Sequence, residues 1–319
     1  MMISFTQRII PLAFIILVAV GFAAVIFTGN HESRMVVVKT RSSVPSLDIF
    51  NDLLLRITYP IITKTFPPLS IACFSEDAII CKALQSTGRW EVFDPQEYFL
   101  ANLFTFQKQR YFMDFGSNIG LFALMLASKG NWKGIAVEPL FSSVVQFNVL
   151  ANKQEERIRI EKVALSADGI GAIKMVYGGS NPGGSNALPD SDSRARNVQV
   201  PKTTIDMIVE KYEQEGFIPK GVEFDYVKMD IEGFEMKALH GATKLLAQRR
   251  VKLWQIELSV NINRAGDDPK ELVRLLTSHG YTMYWGSDKT RPITPETLEI
   301  SGWHDAFAFR NDLLSLQHF

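Results

Sequence analysis

Cysteine is nearly absent: Cys73 and Cys81 are the only two in 319 residues. Two cysteines cannot make a disulfide framework, and with no Cys-x-x-Cys or Cys/His spacing they exclude a structural zinc site. One Cys73–Cys81 bridge and two free thiols both stay open. An excess of either charge is also missing, with Lys+Arg and Asp+Glu at 34 each. No global basic field marks a nucleic-acid binder, so no nucleic-acid partner is expected. The short basic runs Arg194/Arg196 and Arg249-Arg250-Val-Lys252 read as solvated surface. No Asn-x-Ser/Thr acceptor occurs, which weighs against a glycosylated lumenal domain.

One long apolar run is present, at the front. Residues 9–28 carry no charge and are rich in Ile, Leu, Val, Ala and Phe. That length suits a helix crossing a bilayer and exceeds a secretory h-region, so an uncleaved transmembrane anchor is expected, with signal cleavage as the alternative. Residues 1–8 form a short tail and 29–70 a stem or linker. Arg8 precedes the run while Arg34, Lys39 and Arg41 follow it. Counting these charges would place the large part in the cytoplasm. The arrangement of tail, anchor, stem and enzyme instead resembles lumenal single-pass enzymes of the secretory pathway. A single-pass membrane protein is expected, in the endoplasmic reticulum or Golgi for a eukaryotic source, with its sidedness open.

The remaining 71–319 read as one domain. Asp114-Phe-Gly-Ser-Asn-Ile-Gly120 ends the apolar strand Tyr111-Phe112-Met113 and opens an apolar helix, 119–128. Glycines at such a turn let the backbone fold tightly and admit a ligand where a Cβ would clash. Gly134-Ile-Ala-Val137 reads as the next strand and ends on Glu138-Pro139, and an acidic residue at that tip is where αβ nucleotide folds bond a ribose. Further strands are read near 158–164, 225–230, 252–258, 281–285 and 306–310, with helices over 141–152, 204–212 and 234–248. Asp94-Pro95-Gln-Glu97 and Asp268-Pro-Lys-Glu271 each combine an N-cap Asp, an N1 Pro and an N3 Glu, which start helices. Alternating β and α units imply a mostly parallel sheet covered on both faces. The Gly/Ser/Asn/Pro-rich stretch 178–197 interrupts the alternation, as a mobile lid or a passive insertion.

Four motifs in series carry a resemblance: Asp114-Phe-Gly-Ser-Asn-Ile-Gly120, Glu138-Pro139, Thr203-Thr-Ile-Asp206, and Lys228-Met-Asp-Ile-Glu-Gly-Phe-Glu235 followed by Leu239-His-Gly-Ala242. Together they resemble the FkbM family of S-adenosylmethionine-dependent methyltransferases over roughly 71–310. The resemblance implies an α/β, Rossmann-like seven-stranded methyltransferase fold with its last strand antiparallel. It also implies S-adenosyl-L-methionine as cofactor and O-methyl transfer, often to sugar or polyketide hydroxyls; the membrane anchor adds a glycan or lipid-linked acceptor to the small-molecule ones. Ser117 stands where the family usually has Ala, and His240 where it usually has Lys.

On this reading Asp114, Gly116, Ser117, Asn118, Gly120, Glu138 and Pro139 hold the cofactor. Asp230 and Glu232, at a strand's carboxyl end, would orient the acceptor, take its proton or hold a divalent cation; capping the following helix is the plain alternative, and no metal is expected. His304, between Trp303 and Asp305 before the last strand, is a candidate general base. Asp206 is a further candidate, or simply begins a helix. Two other readings compete. A NAD-type oxidoreductase lacks support because Gly116–Gly120 is not G-x-G-x-x-G. A non-catalytic membrane-anchored scaffold that binds the cofactor is the other.

Overall fold

The computed structural model describes residues 14–18, 23–27, 36–37, 61–64, 67–74, 77–90, 109–129, 131–177, 184–185, 196–286 and 289–314. It divides into two compact units, 1–57 and 58–319.

In the first unit, Phe14–Val18 pairs antiparallel with Ala23–Phe27, and Val36–Val37 pairs antiparallel with the latter. This corrects the expected membrane-spanning helix over 9–28. The described part of that run is rich in Ile and Val, and a β-branched apolar run cannot be told from a helix by periodicity alone. Among the described residues, no helix is long and apolar enough to cross a membrane.

In the second unit, Ile61–Ile62 pairs antiparallel with Ser70–Ile71; the other strands are β1 (Arg110–Phe115), β2 (Trp132–Val137), β3 (Ile158–Glu161), β4 (Ala164–Leu165), β5 (Gly171–Tyr177), β6 (Arg196–Thr203), β7 (Tyr226–Met229), β8 (Leu253–Ser259), β9 (Tyr281–Trp285), β10 (Arg291–Ile293) and β11 (Trp303–Arg310). The main sheet has eight strands in the order β10-β9-β11-β8-β7-β1-β2-β3. Strands β8, β7, β1, β2 and β3 run parallel, and β11 runs antiparallel to both β8 and β9. The expected seven strands are therefore there, with the last antiparallel. The eighth, β10, is a short hairpin partner of β9; three residues with Pro292 in the middle are too few to show a period.

Helix α1 (Leu121–Ser128) is buried from Leu121 to Ala127, as a helix packed on all sides must be. The Asp268 N-cap and Pro269 open α2 (Pro269–Ser278), with Asp268 accepting from the Lys270 amide, as the sequence predicts. Thr204 caps α3 (Ile205–Gln214) by accepting from the Met207 amide, and Asp206 accepts from Thr243, Lys244 and Leu245 at the start of a neighbouring helix. Asp206, in the first turn of α3, thus ties two helices together. The helix expected over 234–248 is broken into Glu235–His240 and Thr243–Ala247, because the chain at Gly241 packs against the Ser166 carbonyl. The helix expected to start at Asp94 and most of the 29–70 stem lie outside the described residues.

The 178–197 stretch is flanked by structure the sequence does not announce. β5 and β6 form an antiparallel hairpin, and β6 pairs parallel with β4, making a separate three-stranded sheet. Residues 178–183 and 186–195 lie outside the described residues.

Cys73 and Cys81 are joined as a disulfide across a separation of 8, which settles the open alternative. Both are buried. The adjoining strand is tied down by Asn148, which accepts from the Ala72 amide at 2.7 Å and donates to the carbonyls of Ala72 (2.9 Å) and Ile119 (2.8 Å). The bridge therefore backs the turn at Ile119.

Candidate active site

The carboxyl ends of β1, β2, β7 and β8 meet at one edge of the sheet, where open α/β folds bind ligands. A cleft of about 630 Å³, counting space open to solvent, lies there. It is lined by Gly116, Asn118, Glu138 and Pro139, by Asp230, Ile231 and Glu232, and by the apolar Val163, Leu165, Ile173 and Met175. The β5/β6 hairpin thus supplies part of the pocket, together with Ser185 from the intervening stretch.

Gly116 has φ +76°, and a Cβ there would meet the Asp230 carbonyl oxygen at 1.8 Å. The turn and the β7 tip touch at this point, so only glycine lets both lie side by side. Asn118 also adopts the left-handed region. Its amide donates to Glu138 Oε2 at 2.9 Å, and its buried Oδ1 has no partner among the described residues. Gly120 is the N-cap of α1, and the Ser117 hydroxyl is buried without a partner among those residues.

Glu138 is 5% exposed. Besides Asn118 it accepts from the amides of Leu140 (2.8 Å) and Phe141 (3.0 Å). Burial raises its pKa to about 7; the three amides pull it down and Asp114 pushes it up. Asp114 is fully buried beneath the turn, its Oδ2 accepting from the Ala123 amide at 3.1 Å. That is the helix-capping position, and Asp114 is not among the residues that line the cavity. Burial lifts its pKa to about 6 against the pull of Lys228.

Lys228 lies at 8% exposure and pairs with Asp230 Oδ2 at 2.8 Å. Burial alone would lower its pKa, but Asp230, Asp114 and Asp305 outweigh that and hold it above its usual value. Glu232 accepts from Asn261 Nδ2 at 3.0 Å; burial and then Asp230 raise its pKa to about 7. Glu235 is fully buried, and burial raises it to about 8. Its Oε1 accepts from the amides of Ile231 and Gly233.

Sequence reasoning misses Glu257. Carboxylate oxygens of Asp230, Glu232 and Glu257 come within 4.8 Å of one another. The signal was Gln255, Glu257 and Ser259 alternating in an otherwise apolar strand, a period-two polar face where a buried strand should have none. Burial first, then Asp230, Glu232 and Glu235, raise the Glu257 pKa to about 9. His304 is not brought into this group. It lies in β11 opposite Leu258, exposed, its ring edge-on to Trp285 at 5.7 Å.

A parallel sheet flanked by helices, an antiparallel last strand, a glycine turn after β1 and a carboxylate at the tip of β2 define a methyltransferase-like α/β domain. The chain belongs to the methyltransferase FkbM domain family, whose model matches residues 114–283. That family implies S-adenosylmethionine as methyl donor. No curated protein matches the chain.

Similar solved structures include human methyltransferase 10 domain containing protein, at 13% identity and TM-score 0.40, covering 76% of this chain and 90% of that one. The human Mettl16 catalytic domain, in complex with a MAT2A 3'UTR hairpin, is 12% identical with TM-score 0.39, covering 83% and 90%. Precorrin-6y C5,15-methyltransferase from Geobacter metallireducens is 11% identical with TM-score 0.34, covering 69% and 90%. Likeness this distant says nothing of the acceptor. The expectation of no nucleic-acid partner is not upheld: the Mettl16 domain was solved holding a 3'UTR hairpin, a fact about that protein that leaves this chain's own partner open. Nucleic-acid binding depends on local phosphate contacts, which a balanced whole-chain charge leaves open.

Proposed function

We propose that this protein transfers a methyl group from S-adenosylmethionine to a hydroxyl of a small-molecule or glycan acceptor. The observation that carries this reading is the single cavity shared by the glycine turn and Glu138 with Asp230 and Glu232. The residues fit the cofactor. Glu138 offers a carboxylate to ribose hydroxyls, Asn118 has a buried oxygen without a partner among the described residues, and Val163 and Leu165 give an apolar surface for a base. The bound sulfonium supplies an electrophilic methyl, so no protein nucleophile is needed. Asp230 and Glu232 would orient the acceptor oxygen, and Glu232 would take its proton. His304 is left out of this scheme, being exposed and away from the cavity lining.

A non-catalytic cofactor-binding scaffold would keep Glu138 but would not need carboxylates facing it across the cavity. The Cys73–Cys81 bridge supports a setting in an oxidising compartment. Calorimetry of S-adenosylmethionine and S-adenosylhomocysteine against wild type and Glu138→Ala is the direct test. Binding that weakens about ten-fold or more in the variant is expected. A folded wild type that binds neither compound sinks the proposal. Methyl transfer is then assayed on glycan and small-molecule hydroxyls, with structured RNA alongside.

A further inference from the structure

We infer that Asp230, Glu232 and Glu257 form a binding site for a hard divalent cation of the magnesium–manganese class, placed to hold the acceptor oxygen. This departs from the sequence-based expectation of no metal. The three carboxylates come from the tip of β7, the turn after it and the end of β8, and their nearest oxygens lie within 4.8 Å of one another. An all-oxygen set of this kind suits a hard cation and leaves coordination positions open to water and a ligand.

The ligands are held from behind. Asn261 donates to Glu232 Oε2 at 3.0 Å, and Lys228 occupies only Oδ2 of Asp230. Orienting bonds of this sort are the usual second layer of a metal centre.

Observations outside the cluster point the same way. Ser259 is fully buried, and its hydroxyl has no partner among the described residues. It stands two residues beyond Glu257 on the same strand, so both side chains leave the same face of β8. Lys228 and Asp230 leave that face too, since Tyr226 hydrogen-bonds Gln255 across from β7. Glu235 is also fully buried: its Oε1 is bound by amides on either side of Glu232, while its Oε2 has no partner among the described residues. Glu257 Oε2 is likewise buried and unpaired among them. Buried polar atoms in native folds are almost always satisfied, and unsatisfied ones call for an ion or ligand. Four carboxylates here, Glu235 buried and the other three partly so, face one lysine, and a bound cation would offset their mutual repulsion. A cation with water in its outer positions satisfies the oxygens and the charge at once.

The role assigned to the acceptor rests on the methyltransferase reading, whereas the cation site does not. Mn2+ is the probe, titrated into the full chain near neutral pH and followed by electron paramagnetic resonance, with Mg2+ as competitor. One Mn2+ per chain is expected, displaced by Mg2+ and weakened about ten-fold or more in Glu257→Gln. Glu232→Gln is the second variant, should the first not fold by circular dichroism. Absence of binding to folded wild type, or equal binding in both folded variants, overturns the site. Calorimetry of S-adenosylmethionine on the same samples separates the two ideas. Mn2+ bound without the cofactor would fail the function and keep the site; the cofactor bound without Mn2+ would do the reverse.

Discussion

Replacing Gly116 with Ala puts a carbon 1.8 Å from the Asp230 carbonyl oxygen and 2.9 Å from its carbonyl carbon. Both are backbone atoms, so no side chain can rotate away and the β1 turn must part from the β7 tip. The φ of +76° adds the left-handed cost of a Cβ, ~1–2 kcal/mol. Forcing packed backbone apart adds ~1–3 kcal/mol. Together these make roughly 2–5 kcal/mol, a large share of the ~5–15 kcal/mol that holds a domain folded. A control is built into the fold: Gly169 has φ +80° but nothing within 4 Å of its would-be Cβ. Gly169→Ala should therefore lose only the ~1–2 kcal/mol conformational part. Urea unfolding read by tryptophan fluorescence measures both, at matched m-values. At ~2–4 °C per kcal/mol, melting of Gly116→Ala should drop by roughly 4–20 °C. Equal midpoint shifts in the two variants would refute the close approach of turn and β7 tip.

Other consequences follow from the same geometry. Asp114 and Glu138 carry folded pKa values of about 6 and about 7, above the ordinary 3.8 and 4.5. The folded state thus binds more protons than the unfolded chain between those values. Their stabilisation is full below about pH 4 and is lost as pH rises through 6 to 7, roughly 3 kcal/mol apiece. Melting followed from acid to neutral pH should show that decline, with a shallower slope in Asp114→Asn and in Glu138→Gln; unchanged slopes in both would contradict it. Cys73→Ser reopens a loop spanning 8 positions, worth about 2.5 kcal/mol by loop entropy. Its melting temperature should fall by roughly 5–10 °C, and reductant should bring wild type down to meet it. A wild type indifferent to reductant would mean that the bridge adds no stability.

The sequence by itself determined the parts of this protein that are written in local patterns. The turn Asp114–Gly120, the strand ending at Glu138, the Asp268-Pro269 helix start and the β7 motif through Glu235 are all contiguous, and periodicity and capping chemistry announce them. Tertiary structure decided what depends on distant residues meeting. Glu257 joins Asp230 and Glu232 only because β8 lies beside β7 in the sheet. Asp114 reads as a ligand in one dimension, yet it is sealed beneath the turn because its carboxylate caps α1. His304 sits beside Asp305 in the chain and still faces solvent, since β11 carries it past the cavity. Strand β5 lends Ile173 and Met175 to the pocket just before a stretch whose composition signals only a loop. The apolar run at the front shows the opposite limit. Ile and Val satisfy a strand as readily as a membrane helix, and nothing within the run itself chooses between them.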